Sequence, residues 1–160
     1  MHRDGRGLLH GALISTLLAL PAHADTIYTT LEGQCVSVMV LRQALDPEVC
    51  QATLVNSAYK NGRRAFVFTL ERNPLEISLF TFLGDSNDQL LDGQTVIQPI
   101  DSITFVEGGR NLHLDAIGSC RVTLQLEGLP SVVSCVADTE RGRFAGDFVS
   151  VSKATIKRVP

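Results

Sequence analysis

Ser86 follows Gly84 and Asp85 at the end of an apolar run, and a serine hydroxyl in such a place becomes a nucleophile when a base lies within hydrogen-bond reach. The base on offer is His113, the one histidine after residue 24. It alternates with Asp115, which would put both side chains on one face of a strand. The same polar stretch offers oxygen ligands for a hard cation such as calcium: Asp85, Asn87 and Gln89 alternate as loop ligands do, and Asp85, Asp88 and Asp92 would make a looser site. The match to an EF-hand is poor, because Leu90 replaces the loop glycine and Val96 the twelfth-position glutamate. A zinc site would need several imidazole or thiolate ligands, and one histidine beside oxidised cysteines does not supply them.

Gly84-Asp85-Ser86 resembles the Gly-Asp-Ser block of the SGNH-type lipases and esterases, and the resemblance implies a hydrolase with Ser86 as nucleophile. It covers three residues. The family's Asp-x-x-His motif has no counterpart, since Arg110 stands three residues before His113. The chain also lacks the family's helical patterning. A small serine hydrolase using Ser86 with His113 is therefore the alternative expectation, a calcium-binding loop is a second alternative, and neither a catalytic residue nor a cofactor is assigned.

Four arginines flank two glycine turns, Arg63 and Arg64 after Gly62, Arg141 and Arg143 around Gly142. They would form a guanidinium patch for an acidic partner, or solvated edge residues that discourage strand-to-strand pairing. The aromatic residues are seven Phe and two Tyr with no Trp. The Phe residues fall at core-facing strand positions, which leaves no platform for stacking sugars or bases.

These residues must be positioned by a frame that occurs twice. Gly33-Gln34-Cys35 precedes Cys50, and Gly118-Ser119-Cys120 precedes Cys135, with fourteen residues between the cysteines each time. Four cysteines allow three pairings, and the equal spacing favours the local one, Cys35 with Cys50 and Cys120 with Cys135. Disulfides require an oxidising compartment. Arg3 and Arg6, the apolar run Leu8 to Leu20 and Ala22-His23-Ala24 read as a cleaved signal peptide over residues 1–24. The absence of any Asn-x-Ser/Thr acceptor leans toward bacterial export, to the periplasm or the medium. The apolar run is too short to span a membrane, so a soluble product is expected. The whole chain carries a net charge of −3, and −4 once Arg3, Asp4 and Arg6 are removed. Such mild acidity speaks against nucleic acid or an anionic membrane surface as partner.

From Asp25 the pattern is strand, with turn chemistry every eight to twelve residues. Strands are predicted at Ile27–Leu31, Val36–Leu41, Leu75–Leu83, Thr95–Ile97, Ser102–Val106, Asn111–Ile117, Arg121–Glu127, Ser131–Ala137 and Arg143–Val151. Asn61-Gly62 predicts a type I′ hairpin within Cys50–Leu70. Asp46-Pro47 permits one helical turn at most, Gly84–Gly93 reads as a surface loop, and Lys153–Pro160 as a frayed basic tail. The expected fold over residues 25–152 is a single all-β domain of eight or nine antiparallel strands, a sandwich or a partly closed barrel, with two disulfides. The expected function is a non-enzymatic exported binding or interaction module. It would act through the loop Asp85, Ser86, Asn87, Asp88 and Asp92 on an envelope or extracellular protein partner.

Overall fold

The computed structural model describes residues 26–123, 130–151 and 154–159. The segment read as a signal peptide and the second half of the strand expected at Arg121–Glu127 lie outside the described residues. Eight strands form a closed antiparallel barrel in which each pairs with the next in sequence: β1 (Thr26–Val40), β3 (Cys50–Ala58), β4 (Arg63–Leu70), β5 (Ile77–Asp85), β7 (Thr95–Glu107), β8 (Arg110–Thr123), β9 (Val132–Thr139) and β10 (Gly142–Ser150). Pairing of β10 with β1, from Gly33↔Ser150 to Met39↔Ala145, closes the ring. Closure removes the sheet edges and decides between sandwich and barrel. Three short strands lie off the ring: β2 (Gln43–Leu45) on β1, β6 (Leu90–Asp92) on β7, and β11 (Thr155–Val159) on Thr26–Thr30 of β1.

Alternation along each strand sends one set of side chains inward. All seven phenylalanines are buried, with Phe68, Phe80, Phe82, Phe105, Phe144 and Phe148 no more than 1% exposed. Four of them pack in sequence across the interior. Phe68 stacks on Phe80 at 5.2 Å between centroids, Phe80 meets Phe144 at 5.9 Å, and Phe144 meets Phe105 at 5.4 Å. This cluster fills the end of the barrel at which β7 turns into β8 through Gly108 and Gly109, both at positive φ. Arg141, from the β9–β10 turn, lies over the Phe105 ring and bonds Glu107, capping that end. The excursion between β1 and β3 also belongs to this end. It turns through Leu41 and Arg42 at positive φ, buries Leu45, and includes a one-turn 3-10 helix, Pro47–Val49, capped by the Asp46 carboxylate.

The disulfides join Cys35 to Cys50 and Cys120 to Cys135. Cys120 and Cys135 are register partners on β8 and β9 and point inward. Cys35 and Cys50 bridge β1 and β3 beyond Glu32↔Thr53, where their ladder has ended and the strands part around the excursion. The glycine two residues before the first cysteine of each frame has one cause. A Cβ on Gly33 would stand 2.0 Å from the Val149 carbonyl oxygen, and one on Gly118 2.1 Å from that of Val136, so only glycine fits where the neighbouring backbone closes in.

Several local expectations are corrected. Ile27–Leu31 and Val36–Leu41 are parts of the single strand β1, which continues through a bulge between Cys35 and Ser37 instead of breaking. Likewise Thr95–Glu107 is continuous through Pro99. On that edge β5 pairs only as far as Ser102 and β6 begins at Ile97, so the ladder is already interrupted where proline would remove a donor. The Asn61-Gly62 hairpin is not type I′. Gly62 N–H donates to the Tyr59 carbonyl at 3.0 Å, Tyr59 N–H to that of Arg63 at 2.9 Å, and Gly62 alone in the loop has positive φ, +81°. That is a three-residue loop closed by a glycine bulge. The segment expected as a frayed tail forms β11.

Candidate functional site

Among the described residues, none covers the barrel end opposite the phenylalanine cluster. The β3–β4 turn, the start of β7, the end of β8, the start of β9 and the end of β10 surround it. A cavity of about 270 Å³ descends from this mouth, lined by Thr29, Leu31, Asn56, Arg64, Phe66, Gln89, Val96, Val122, Ser131, Val133 and Ala154. The walls are mainly apolar because Leu31, Phe66, Val96, Val122 and Val133 belong to the inward rows of their strands. The polar exceptions gather on one side. Arg64 occupies the same inward row of β4 as Phe66 and Phe68, and Asn56 the same inward row of β3 as Leu54.

Arg64 Nη1 donates to Asn56 Oδ1 at 3.2 Å, and Asn56 Nδ2 donates to the Ala65 carbonyl at 3.1 Å. Arg64 Nε is buried with no partner among the described residues. Gln98, fully buried on β7, donates through Nε2 to the Asp85 and Pro99 carbonyls, and its Oε1 also lacks a partner. Both residues adjoin Gly84, the register partner of Arg64, where a Cβ would stand 2.7 Å from Gln98 Nε2 and 1.9 Å from the Pro99 oxygen. Buried donors and acceptors are nearly always satisfied, so orphaned atoms in an inward row mark a place to examine.

The other three turn-flanking arginines have carboxylate partners. Arg63 grips Asp101 and also donates to Ser102 at 3.1 Å. The Arg63 hydrogen bond holds the Asp101 carboxyl below its usual value, helped by Ser102, and Asp101 raises the guanidinium in return. Arg143 takes Asp138 through two bonds of 2.9 and 2.8 Å, and lowers its carboxyl in the same way. Arg141 takes Glu107. No guanidinium patch results, and among the described residues Arg64 is the one of the four without a carboxylate.

Ser86 and His113 are not brought together. Ser86 sits at the open rim, its N–H donating to the Gly62 carbonyl at 2.8 Å. His113 pairs with Thr104, which pairs with Thr81, five residues down β5 from Ser86, so the two side chains are roughly 20 Å apart by strand rise and spacing. The hydrolase arrangement is thereby excluded on geometry. His113 and Asp115 do share the outward face of β8. They line a shallow groove of about 500 Å³ with Ile117, Asp138 and Glu140, beside the part of β8 that precedes its first pairing with β9 at Ala116↔Thr139.

The stretch Asp85 to Asp92 is more ordered than a loop. Asp85 spends its carboxylate capping a 3-10 turn, Ser86–Asp88, by accepting from Asn87 N–H at 2.9 Å, and Leu90–Asp92 forms β6. Among the described residues no three acidic, histidine or cysteine side chains converge on a point where a cation would sit, so the calcium geometry is not assembled. The stretch nevertheless belongs to the rim of the mouth: Gln89 lines the cavity, and Leu90 and Leu91 are 61% and 71% exposed beside it.

Among the described residues, fold and site define an eight-stranded barrel plugged at one end and holding at the other an apolar cavity with one inward arginine. No protein-family model, characterised protein or solved structure matches this chain. Sequence reasoning placed Arg64 on the surface, whereas it lines the cavity. The alternation Arg64, Phe66, Phe68, Leu70 was the available signal that it faces inward.

Proposed function

We propose that the protein is an exported, non-enzymatic binding module that takes a small ligand into the open mouth of its barrel. The observation that carries this reading is the cavity itself, walled by apolar residues from β1, β4, β7, β8 and β9 and furnished with a few convergent polar groups. That composition is typical of small-molecule sites, and about 270 Å³ lies just under their usual range of roughly 300–1,000 Å³, which suits a compact ligand. The rim stretch Asp85, Ser86, Asn87, Asp88 and Asp92, expected to form the binding loop, would act as the border of this mouth. The two disulfides support residence in an oxidising compartment, and the leader-like residues 1–24 support export to the periplasm or beyond.

A protein partner is the second reading. It is favoured by Ile117, 86% exposed on the outer face beside the groove of β8. Arg110 to Asp115 of β8 pair with β7 but not with β9, and this local edge suits addition of a partner's strand.

Native mass spectrometry of the disulfide-bonded protein, purified gently from its own compartment, tests both. The expected result is a 1:1 small-molecule adduct that is lost in Val96→Phe, a variant that fills the mouth, while the melting temperature stays within a few degrees of the parent. Ligand-free protein, with a photo-crosslinker at position 117 capturing one defined protein, would replace the first reading with the second.

A further inference from the structure

We infer that the ligand of the mouth cavity is a monocarboxylate with a short apolar tail, its head held side-on by Arg64; this rests on the mouth being the ligand site. The guanidinium has five N–H donors and no acceptor. One of its sides is already fixed. Nη1 donates to Asn56 Oδ1, and Asn56 is itself held by the Ala65 carbonyl. Nε is buried and unpartnered, and no bond from Nη2 is made among the described residues. Nε–H and one Nη2–H run parallel on the same side of the guanidinium plane, a spacing that matches the two oxygens of a carboxylate.

Arg64 itself lines the cavity, so a head entering from the mouth meets its guanidinium. A dianionic phosphate fits less well, since one arginine with no second cation among the described lining residues would leave a charge unmatched in an apolar cavity. The tail would lie against Leu31, Phe66, Val96, Val122 and Val133. An apolar molecule without the head would leave Nε unsatisfied, and a bare inorganic anion would leave the walls unused. The carboxylate amphiphile satisfies both.

Isothermal titration of the full, disulfide-bonded protein with octanoate, 1-octanol and octylamine tests the assignment. Octanoate is expected to bind the parent about 10- to 100-fold more tightly than octanol, the range for a charge-assisted bidentate pair, and octylamine least. Arg64→Gln should reduce octanoate to the level of octanol and leave octanol unchanged. Arg64→Lys, which keeps the charge and loses the fork, should fall between, and it carries the test if the glutamine variant does not fold. Equal binding of octanoate and octanol by the parent would overturn the head-group inference and leave the cavity reading standing. Octanoate binding that survives both Arg64 variants would also overturn it, and binding of none of the three would overturn both. Glu127, outside the described residues, supplies a control: a marked gain in octanoate affinity for Glu127→Gln would mean that the chain's own carboxylate occupies the fork, and would equally overturn the inference.

Discussion

Replacing Phe80 with alanine is expected to lower the free energy of unfolding by about 3–5 kcal/mol, the range for a fully buried phenylalanine whose cavity cannot collapse. Phe80 is 0% exposed and touches three other rings, Phe68 at 5.2 Å, Phe82 at 5.6 Å and Phe144 at 5.9 Å. Collapse is hindered because the ring stands inside a closed barrel, where the surrounding backbone is tied into one continuous hydrogen-bonded cylinder. A single α-helix or an open sheet edge could shift inward; a closed ring of strands cannot do so without breaking register. The loss should appear in urea as a lower midpoint at an unchanged slope, and thermally as a fall of roughly 10–20 °C. A change below about 1 kcal/mol would mean that the interior is not filled as described.

Reduction of the two disulfides is expected to be the other large effect. Each joins cysteines fifteen apart in sequence, and in the chain-entropy model a loop of that length contributes about 3 kcal/mol. Two such contributions approach the whole stability of a domain of this size, which is roughly 5–15 kcal/mol. In the presence of a phosphine reductant the cooperative transition should move down by about 15 °C or more, or vanish. Because the loops are equally long, removing either pair by double alanine substitution should cost nearly the same through the unfolded chain. Any excess for the Cys35–Cys50 pair measures what the bridge does in the folded barrel, where it spans strands that have already left their ladder. A reduced protein that melts within 2 °C of the oxidised one, beyond the scatter of such measurements, would contradict this account.

Much of this architecture was legible in the sequence. The alternation Leu112, Leu114, Ala116 and the inward phenylalanines specify antiparallel strands with one buried face, and the doubled Gly-x-Cys frame marks neighbouring strands that approach closely. What local reading loses is closure. Nothing in β1 or β10 taken singly says that Gly33 will meet Ser150, because that contact spans most of the chain. For the same reason Leu75–Leu83, apolar on both faces, reads as a central strand covered on both sides, whereas a closed ring has no central strand. Proline and glycine signals misled in proportion to how far tertiary pairing overrides them. Pro99 falls where no ladder is lost, and Asn61-Gly62 closes a three-residue loop instead of a type I′ turn.

The site was the harder part. Ser86, His113 and the loop acids attracted attention because their chemistry is visible one residue at a time. Arg64 did not, because its role depends on which way its strand faces and on what surrounds it. A charged residue in an inward row of apolar neighbours is a local contradiction, and such contradictions tend to gather at functional sites. Its companions Asn56, Phe66 and Val96 come from three strands, so their meeting is a property of the closed ring.

The most direct measurement is a side-chain nuclear magnetic resonance titration of the native, disulfide-bonded protein with octanoate, following the Arg64 Nε–H signal and the valine and isoleucine methyls together. If the barrel holds its ligand at the open mouth, the Arg64 signal and the methyls of Val96, Val122 and Val133 shift in concert and saturate, while Ile117 and Val136 on the outer face stay in place. Shifts confined to Ile117 and Val136, or a saturating response that leaves the Arg64 signal unmoved, would show that the mouth is not the site.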